Sequence, residues 1–209
     1  MINAGPTREP LDPVRFISNY SSGKMGIALA EAAAEYGADV ELVLGPVTPV
    51  PFLEKINVVN VITAESMAKE CISRFSGCDI AILAAAVADY TPFNAEKEKI
   101  KKTGKDLILR MKPTRDIAME LGRMKKSSQI LAGFALETGN GVKNAKEKLK
   151  RKKMDLIVLN SLEDKGAGFG YDTNRITIIY KYNNIDNFEL KTKEETARDI
   201  LEKIVSMIK

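Results

Sequence analysis

Residues 2–26 read INAGPTREPLDPVRFISNYSSGKMG, and the fold follows from how this stretch is punctuated. Ile2-Asn3-Ala4 is strand-like and runs straight into Gly5-Pro6-Thr7. A polar loop carrying Pro6, Pro10 and Pro13 leads to the small-residue run Ser21-Ser22-Gly23-Lys24-Met25-Gly26 and the helix-like Ile27 to Ala34. A strand, a glycine turn and a helix opening with Ser and Gly is how α/β proteins make a phosphate site. The first backbone N–H groups of a helix lack internal partners, and the helix dipole favours an anion beside them. Gly23 and Gly26 carry no Cβ, so backbone and ligand can approach closely.

Two familiar phosphate motifs are absent. Gly23-Lys24 is followed by Met25, so the hydroxyl that holds magnesium in GxxxxGK[ST] is missing, and there is no GxGxxG. Tyr20 and Lys24 have the YxxxK spacing of short-chain dehydrogenases, but they straddle a Ser-Ser-Gly turn near the start of the chain. An NAD(P)-dependent reductase on a Rossmann-like sheet is one alternative; a non-catalytic nucleotide-binding module is another.

The 209 residues suffice for one sizeable core, and 44% hydrophobic with 29% charged residues describes a soluble globular protein. No apolar run is long enough to span a membrane, and no basic segment followed by a hydrophobic one suggests a signal peptide. Cys71 and Cys78 offer neither a disulfide framework nor metal spacing, which places reduced thiols in the cytoplasm. Aromatics, 6% of the chain, do not interleave with a basic stripe, which argues against nucleic acid. The absence of histidine excludes Ser–His and Cys–His nucleophiles and His-ligated metals. Acid–base work falls to Lys, Asp, Glu or Tyr, and activation by a nucleotide asks little proton chemistry of the protein.

Further along, Asp39–Leu44, Val58–Val61 and Asp79–Leu83 read as strands, and Ala64–Phe75 as an amphipathic helix capped by Thr63. Strand and helix in alternation predict a Rossmann-like, doubly wound, mostly parallel sheet with helices on both faces. Ala84-Ala85-Ala86 with Asp89 sits beyond a strand's carboxyl end, where such sheets bind ligands; Asp89 is either a pocket acceptor or a turn cap. Phe93–Lys105 is either a solvated lysine loop or a flap. Asp106–Met111 reads as a strand, Thr114 as a helix cap and Gln129–Phe134 as a strand. Val142–Lys153 is a basic helix whose Lys148 and Lys152, four apart, share a face that either grips phosphates or is simply solvated. After a strand at Asp155–Leu159, Thr173–Tyr182 and Phe188–Lys191 predict a C-terminal β-hairpin extension around Asn183-Asn184, and Glu194–Ile208 a closing helix.

GPTREPLDPVRFISNYSSGKMG, AAAVADY, EKIKK, GFALET and KRKKMDLIVLN, in this order and spacing, resemble the phosphopantothenoylcysteine synthetase family of coenzyme A biosynthesis over nearly the whole chain. The resemblance implies a single ligase domain, residues 1–209, without the flavin-dependent decarboxylase half to which it is usually fused. It implies a dimer with the site near the subunit interface, the Gly166–Lys191 region being the expected contact. It implies that the carboxylate of 4'-phosphopantothenate attacks the α-phosphate of CTP, releasing pyrophosphate. L-cysteine then displaces CMP from the acyl-cytidylate. Mg2+ is implied by the triphosphate, held mainly by phosphates and water, since no metal-ligand cluster is visible.

Position by position, Asn19 matches the asparagine that contacts the acyl intermediate, and Lys99 the flap lysine needed for acyl-cytidylate formation. Ala84, Ala85 and Asp89, with Ala86 beside them, match the segment around nucleotide and acyl group. Arg115, Asp116, Ile117 and Ala118 match a nucleotide-binding turn acting largely through backbone, Phe134 a residue of the base pocket, and Lys148 and Lys152 two nucleotide lysines. Ser21, Ser22, Gly23 and Gly26 would sit by phosphate, and Arg15 would reach substrate. Arg115 departs from the bacterial pattern, which has proline before the Asp, and Asn3 stands where a small residue or threonine is expected.

Overall fold

Apolar runs bounded by turns and amphipathic helices assemble into three layers in the computed structural model, which describes residues 1–48, 55–161 and 166–208. The main sheet is built from β1 (Ile2–Ala4), β2 (Val40–Leu44), β3 (Ile56–Asn60), β4 (Ile80–Leu83), β5 (Ile130–Glu137), β6 (Leu156–Ser161), β7 (Thr177–Tyr180) and β8 (Ile185–Asn187). Their order is β3-β2-β1-β4-β5-β6-β7-β8. The first six are mutually parallel, and β7 and β8 are antiparallel additions at the edge. Both faces of the parallel part are covered, which is why β4 and β6 are continuous apolar runs instead of alternating ones.

The helices are α1 (Lys24–Glu35), α2 (Ala64–Phe75), α3 (Ile117–Met124), α4 (Gly141–Arg151) and α5 (Lys193–Val205). α1 and α5 cover one face, packing Leu29 and Ile200 against Ile2, Leu42 and Ile82. α2, α3 and α4 cover the other with Met67, Leu121 and Leu149 against Val43, Leu83 and Ile157. Each fully buried Leu, Ile or Phe contributes about 1.5–3 kcal/mol. Small residues set the closest approach: a Cβ on Gly26 would collide with Ala4, so α1 lies directly on β1. Thr63 and Ser66 form a capping box at α2, and Thr192 with Glu195 another at α5.

Three expectations are corrected. Asp106–Arg110 is not a strand; only Met111–Pro113 pairs, antiparallel with Tyr90–Pro92, because residues 101–110 are exposed and have no apolar layer to join. Thr114 does not cap α3: its hydroxyl donates to Ala88 O at 2.6 Å, and Asp116 is the cap, accepting from Met119 N at 3.0 Å. The hairpin around Asn183-Asn184 is shorter than expected, because Thr173–Asn174 and Lys191–Thr192 leave the main sheet to pair with each other.

At the amino-terminal end of β5 and β6, Asp155 is 97% enclosed as a side chain and accepts from Lys125 Nζ at 2.5 Å, Lys181 Nζ at 2.9 Å and Leu131 N at 2.9 Å. Burial opposes its ionisation, but the Lys125 bond, the Leu131 N–H and Lys181 together hold the carboxyl below its ordinary range. Its folded pKa is therefore depressed. The stabilisation is present above the unfolded value of about 4 and is lost as pH falls below it. Asp155→Asn should cost about 3 kcal/mol in urea unfolding at pH 7, with the difference from wild type shrinking as pH falls below about 4.

Candidate active site

The strand order reverses direction between β1 and β4: the connection after β1 enters α1 on one face, and α3 and α4, which follow β4 and β5, lie on the other. The crevice beyond their carboxyl ends is where open α/β sheets bind ligands. Two adjoining cavities of about 410 Å³ and 270 Å³ open there. They share Ala85, Val87, Asp89, Phe134 and Lys148 as walls.

The partition between them is residues 84–89, an exposed-end segment tied down on both sides. Ala84 N and Ala86 N donate to Asn3 O and Gly5 O at 3.2 and 2.9 Å, continuing the β1 ladder past its end. Ala88 N donates to the buried Thr7 Oγ1 at 3.0 Å, and Thr114 Oγ1 holds Ala88 O from the other side. Asn19 Nδ2 donates to Ala86 O, while Asn19 Oδ1 accepts from Ser21 N at 3.0 Å. The asparagine thus clamps the alanine segment to the loop that opens α1.

The smaller cavity is walled by Ser21, Ser22, Gly23 and Gly26 together with Ala84 and Ala86. α1 starts at Gly23 with φ 77° and has neither a side-chain cap nor an acidic residue in its first turn. A positive φ favours glycine there, a Cβ would crowd Val47, and the uncapped turn leaves donors and the positive dipole end beside the cavity. Lys193, also in this wall, is buried; it donates to Gly168 O at 3.2 Å and to Tyr171 O, and burial pushes its pKa down. Asn160 and Asn174 border the same space with buried side-chain oxygens that have no hydrogen-bond partner. The sequence assigned neither asparagine nor Lys193 to the site: Asn160 only closes the KRKKMDLIVLN motif, and Asn174 and Lys193 fall in or beside elements that read as framework.

The larger cavity is walled by Asp116, Ile117 and Ala118 at the start of α3, and by Lys148 and Lys152 of α4 and its C-cap. Lys148 Nζ donates to Phe134 O at 2.7 Å. Burial pushes its pKa down, with the Lys152 charge acting in the same direction. Lys152 pairs with Asp116 at 2.9 Å. Burial opposes the ionisation of Asp116, but Lys152 and the Met119 N–H outweigh it and its pKa is lowered. Lys143, Lys150 and Arg151 remain exposed, so the basic helix is divided between a site face and a solvated one. Arg115 borders the cavity, but its guanidinium forks onto Glu120 at 3.0 and 2.6 Å and reaches Glu65 at 3.2 Å, leaving the backbone to face a ligand.

Three expected residues lie outside both cavities. Asn19 acts through Ala86 and Ser21 as described. Arg15 is engaged elsewhere: it grips Asp12 at 2.5 Å and donates to Ile100 O at 2.7 Å. Asp12 in turn accepts from Ile100 N at 3.0 Å, and the Arg15 guanidinium holds its carboxyl well below the usual range. This triangle ties down the middle of the lysine-rich Phe93–Lys105 segment, so Arg15 is a strut and does not line the central cavities. Lys99, next to the tethered Ile100, is exposed and borders a separate shallow cavity of about 560 Å³ with Phe93, Leu107 and Ile108. Tyr20 is 93% exposed and Lys24 pairs with Asp172 at 2.6 Å, so the YxxxK residues make no dehydrogenase pair.

A sheet of this order, with an uncapped helix end and a half-buried lysine at its switch point, defines an α/β protein of Rossmann type. Within that class the chain belongs to the DNA/pantothenate metabolism flavoprotein C-terminal domain family, whose model matches residues 1–208. It is 44% identical to the coenzyme A biosynthesis bifunctional protein CoaBC of Bacillus subtilis, over 100% of this chain and 51% of that protein. It is 61% identical to a cysteine/cysteine sulfinic acid decarboxylase of an unknown prokaryotic organism, over 99% of this chain and 58% of that one. The chain thus spans only a little over half the length of these relatives. The crystal structure of the C-terminal domain of a CoaBC superposes with a TM-score of 0.83 at 40% identity, covering 99% of this chain and 93% of that one. A Cab2 mutant in complex with phosphopantothenate-cysteine shares the fold, with a TM-score of 0.78 at 17% identity over 98% and 84% of the two chains. No described helix is long and apolar enough to cross a membrane.

Proposed function

We propose that the chain is the ligase that joins 4'-phosphopantothenate to L-cysteine in coenzyme A biosynthesis, with CTP as the activating nucleotide. The observation that carries this reading is the paired cavity at the switch point. One end has an uncapped helix terminus for phosphate and the other two lysines for a triphosphate, with the alanine segment between them. In the first half-reaction a carboxylate oxygen of phosphopantothenate attacks the α-phosphate, the bond to pyrophosphate breaks, and an acyl-cytidylate forms. In the second, the cysteine amine attacks the acyl carbonyl, the acyl–phosphate bond breaks, and CMP and a proton depart as the amide forms. Asp116, Ile117, Ala118, Lys148 and Lys152 hold the nucleotide, Phe134 lines the base, and Ser21 to Gly26 face the acyl substrate's phosphate. Positioning and charge stabilisation supply the catalysis, consistent with a chain that has no histidine.

Magnesium accompanies the triphosphate. No group of three or more His, Cys, Asp or Glu side chains gathers among the described residues, so a site made by protein alone does not fit and no step is routed through the ion. The same reading takes the protein to be a cytoplasmic homodimer working with a flavin-dependent decarboxylase domain. Exposed Tyr182, Ile185 and Leu190 in the hairpin region support a contact there, and sedimentation at micromolar concentration tests it.

The test of the reaction is pyrophosphate release from CTP, which should require phosphopantothenate. Release with ATP but not CTP would overturn the base assignment alone, and release with neither would overturn the ligase. Lys99→Ala should lower pyrophosphate release at least about a hundredfold, as removal of a charged transition-state contact does. Its melting temperature should stay that of wild type, because Lys99 is exposed. Unchanged release would remove the flap lysine from the mechanism.

A further inference from the structure

Across the sheet, Val43, Asn3, Leu83, Gly133 and Ile157 stand side by side in one row of paired residues. Val43, Leu83 and Ile157 of that row belong to the core under α2, α3 and α4. Asn3 is its polar member, and it is only 2% exposed. A carboxamide is disfavoured in such a layer unless its hydrogen bonds are remade there. Its oxygen is well used: Ala85 N donates to Asn3 Oδ1 at 2.9 Å. Its nitrogen meets Cys71 Sγ at 3.9 Å, a weak acceptor. Burial pushes the Cys71 thiol up to about 12, so the sulfur stays neutral and weak. The sheet thus holds a polar group in its apolar layer chiefly to bind one backbone N–H.

That N–H belongs to the partition between the two cavities. N–H and C=O of a trans peptide point in opposite directions, so the bond to Asn3 turns the Ala84 carbonyl away from the α2 side. Asn3 and Ala85 border the larger cavity, and Ala84 and Ala85 the smaller. Thr7, Asn19 and Thr114 anchor residues 86 and 88, but Ala85 is held through its N–H by Asn3.

We propose that Asn3 is a positioning residue for the nucleotide: by holding the Ala85 N–H it fixes Ala85, which walls the larger cavity beside Asn3 itself, in the position against which the ligand there lies. This rests on the nucleotide reading of that cavity. The experiment compares wild type, Asn3→Val and Asn3→Thr in CTP titration calorimetry, pyrophosphate-release kinetics and thermal melting. Valine fills the row and removes the acceptor, whereas the threonine hydroxyl retains one. Asn3→Val should raise the CTP Kd and KM about tenfold, the loss of one hydrogen bond's worth of orientation, with kcat changed less. Asn3→Thr should return both to within about threefold of wild type. A lowered melting temperature with unchanged Kd and KM would make Asn3 merely structural and overturn the proposal. Absence of CTP binding by wild type would overturn the cavity reading itself, a separate outcome. If Asn3→Val does not fold, amide exchange decides: Ala85 N–H should be protected in wild type, and exchange as fast as in the exposed flap overturns the proposal.

Discussion

Lys148→Met should lower kcat/KM for CTP-dependent ligation at least about a hundredfold, through loss of a charge-assisted bond of about 3 kcal/mol to phosphate. Lys148 is the cation common to both cavities, and its ammonium is already oriented by Phe134 O at 2.7 Å. A half-buried charge so placed loses little freedom when phosphate arrives, which makes it worth more than its exposed neighbours Lys143 and Lys150. Methionine keeps the unbranched stem, so thermal melting should change little while nucleotide affinity collapses. The pH dependence has a definite sign. Burial first, and Lys152 second, depress the Lys148 pKa, so its charge is lost as pH rises through a value below the ordinary lysine range. CTP affinity should therefore decline on the alkaline side earlier than an exposed lysine would allow. Equal CTP affinity in wild type and Lys148→Met would remove Lys148 from the nucleotide site.

Asn19→Asp should separate the two half-reactions. Pyrophosphate release should stay within about tenfold of wild type, while amide formation falls about a hundred- to a thousandfold, the range for loss of one oxyanion donor. The carboxamide nitrogen has two hydrogens: one is given to Ala86 O, and the expected role of Asn19 in the proposed reaction asks the second to serve the acyl carbonyl as negative charge develops. Aspartate keeps the acceptor for Ser21 N but sets an oxygen against Ala86 O and has no hydrogen to offer. Assays of pyrophosphate and of the amide product in the same reaction give the two rates. Equal loss in both would mean that Asn19 serves only as the clamp between the alanine segment and the α1 loop. A variant that makes amide at the wild-type rate would remove it from the reaction.

Local patterns carried most of the architecture. Thr63 announced the start of α2 because a cap is a contact between residues three apart, and the apolar runs at β4 and β6 announced buried parallel strands for the same local reason. Where neighbours in space decided, the reading drifted. Asp106–Arg110 is apolar enough to pair but has nothing to cover it, and Thr114 turned to Ala88 instead of capping its own helix. Within the site, the glycines and serines before α1, the alanine segment and the α4 lysines were legible as a motif, and the structure brings them to one crevice. Arg15 was not: the family resemblance placed it at substrate, and its geometry commits it to Asp12 and Ile100.

Residue order was enough for the Rossmann-like class, the exclusion of histidine chemistry and the segments that meet at the crevice, because periodicity, caps and residue inventory are properties of neighbours along the chain. What each polar side chain does depends on the folded arrangement. It gave Lys148 to Phe134 O, Asn19 to Ala86 and Ser21, and the apparently out-of-place Asn3 to Ala85, a residue 82 positions away. Hydrogen-bond partners of buried groups are chosen by which strands the topology sets side by side, and that choice is made across the sheet.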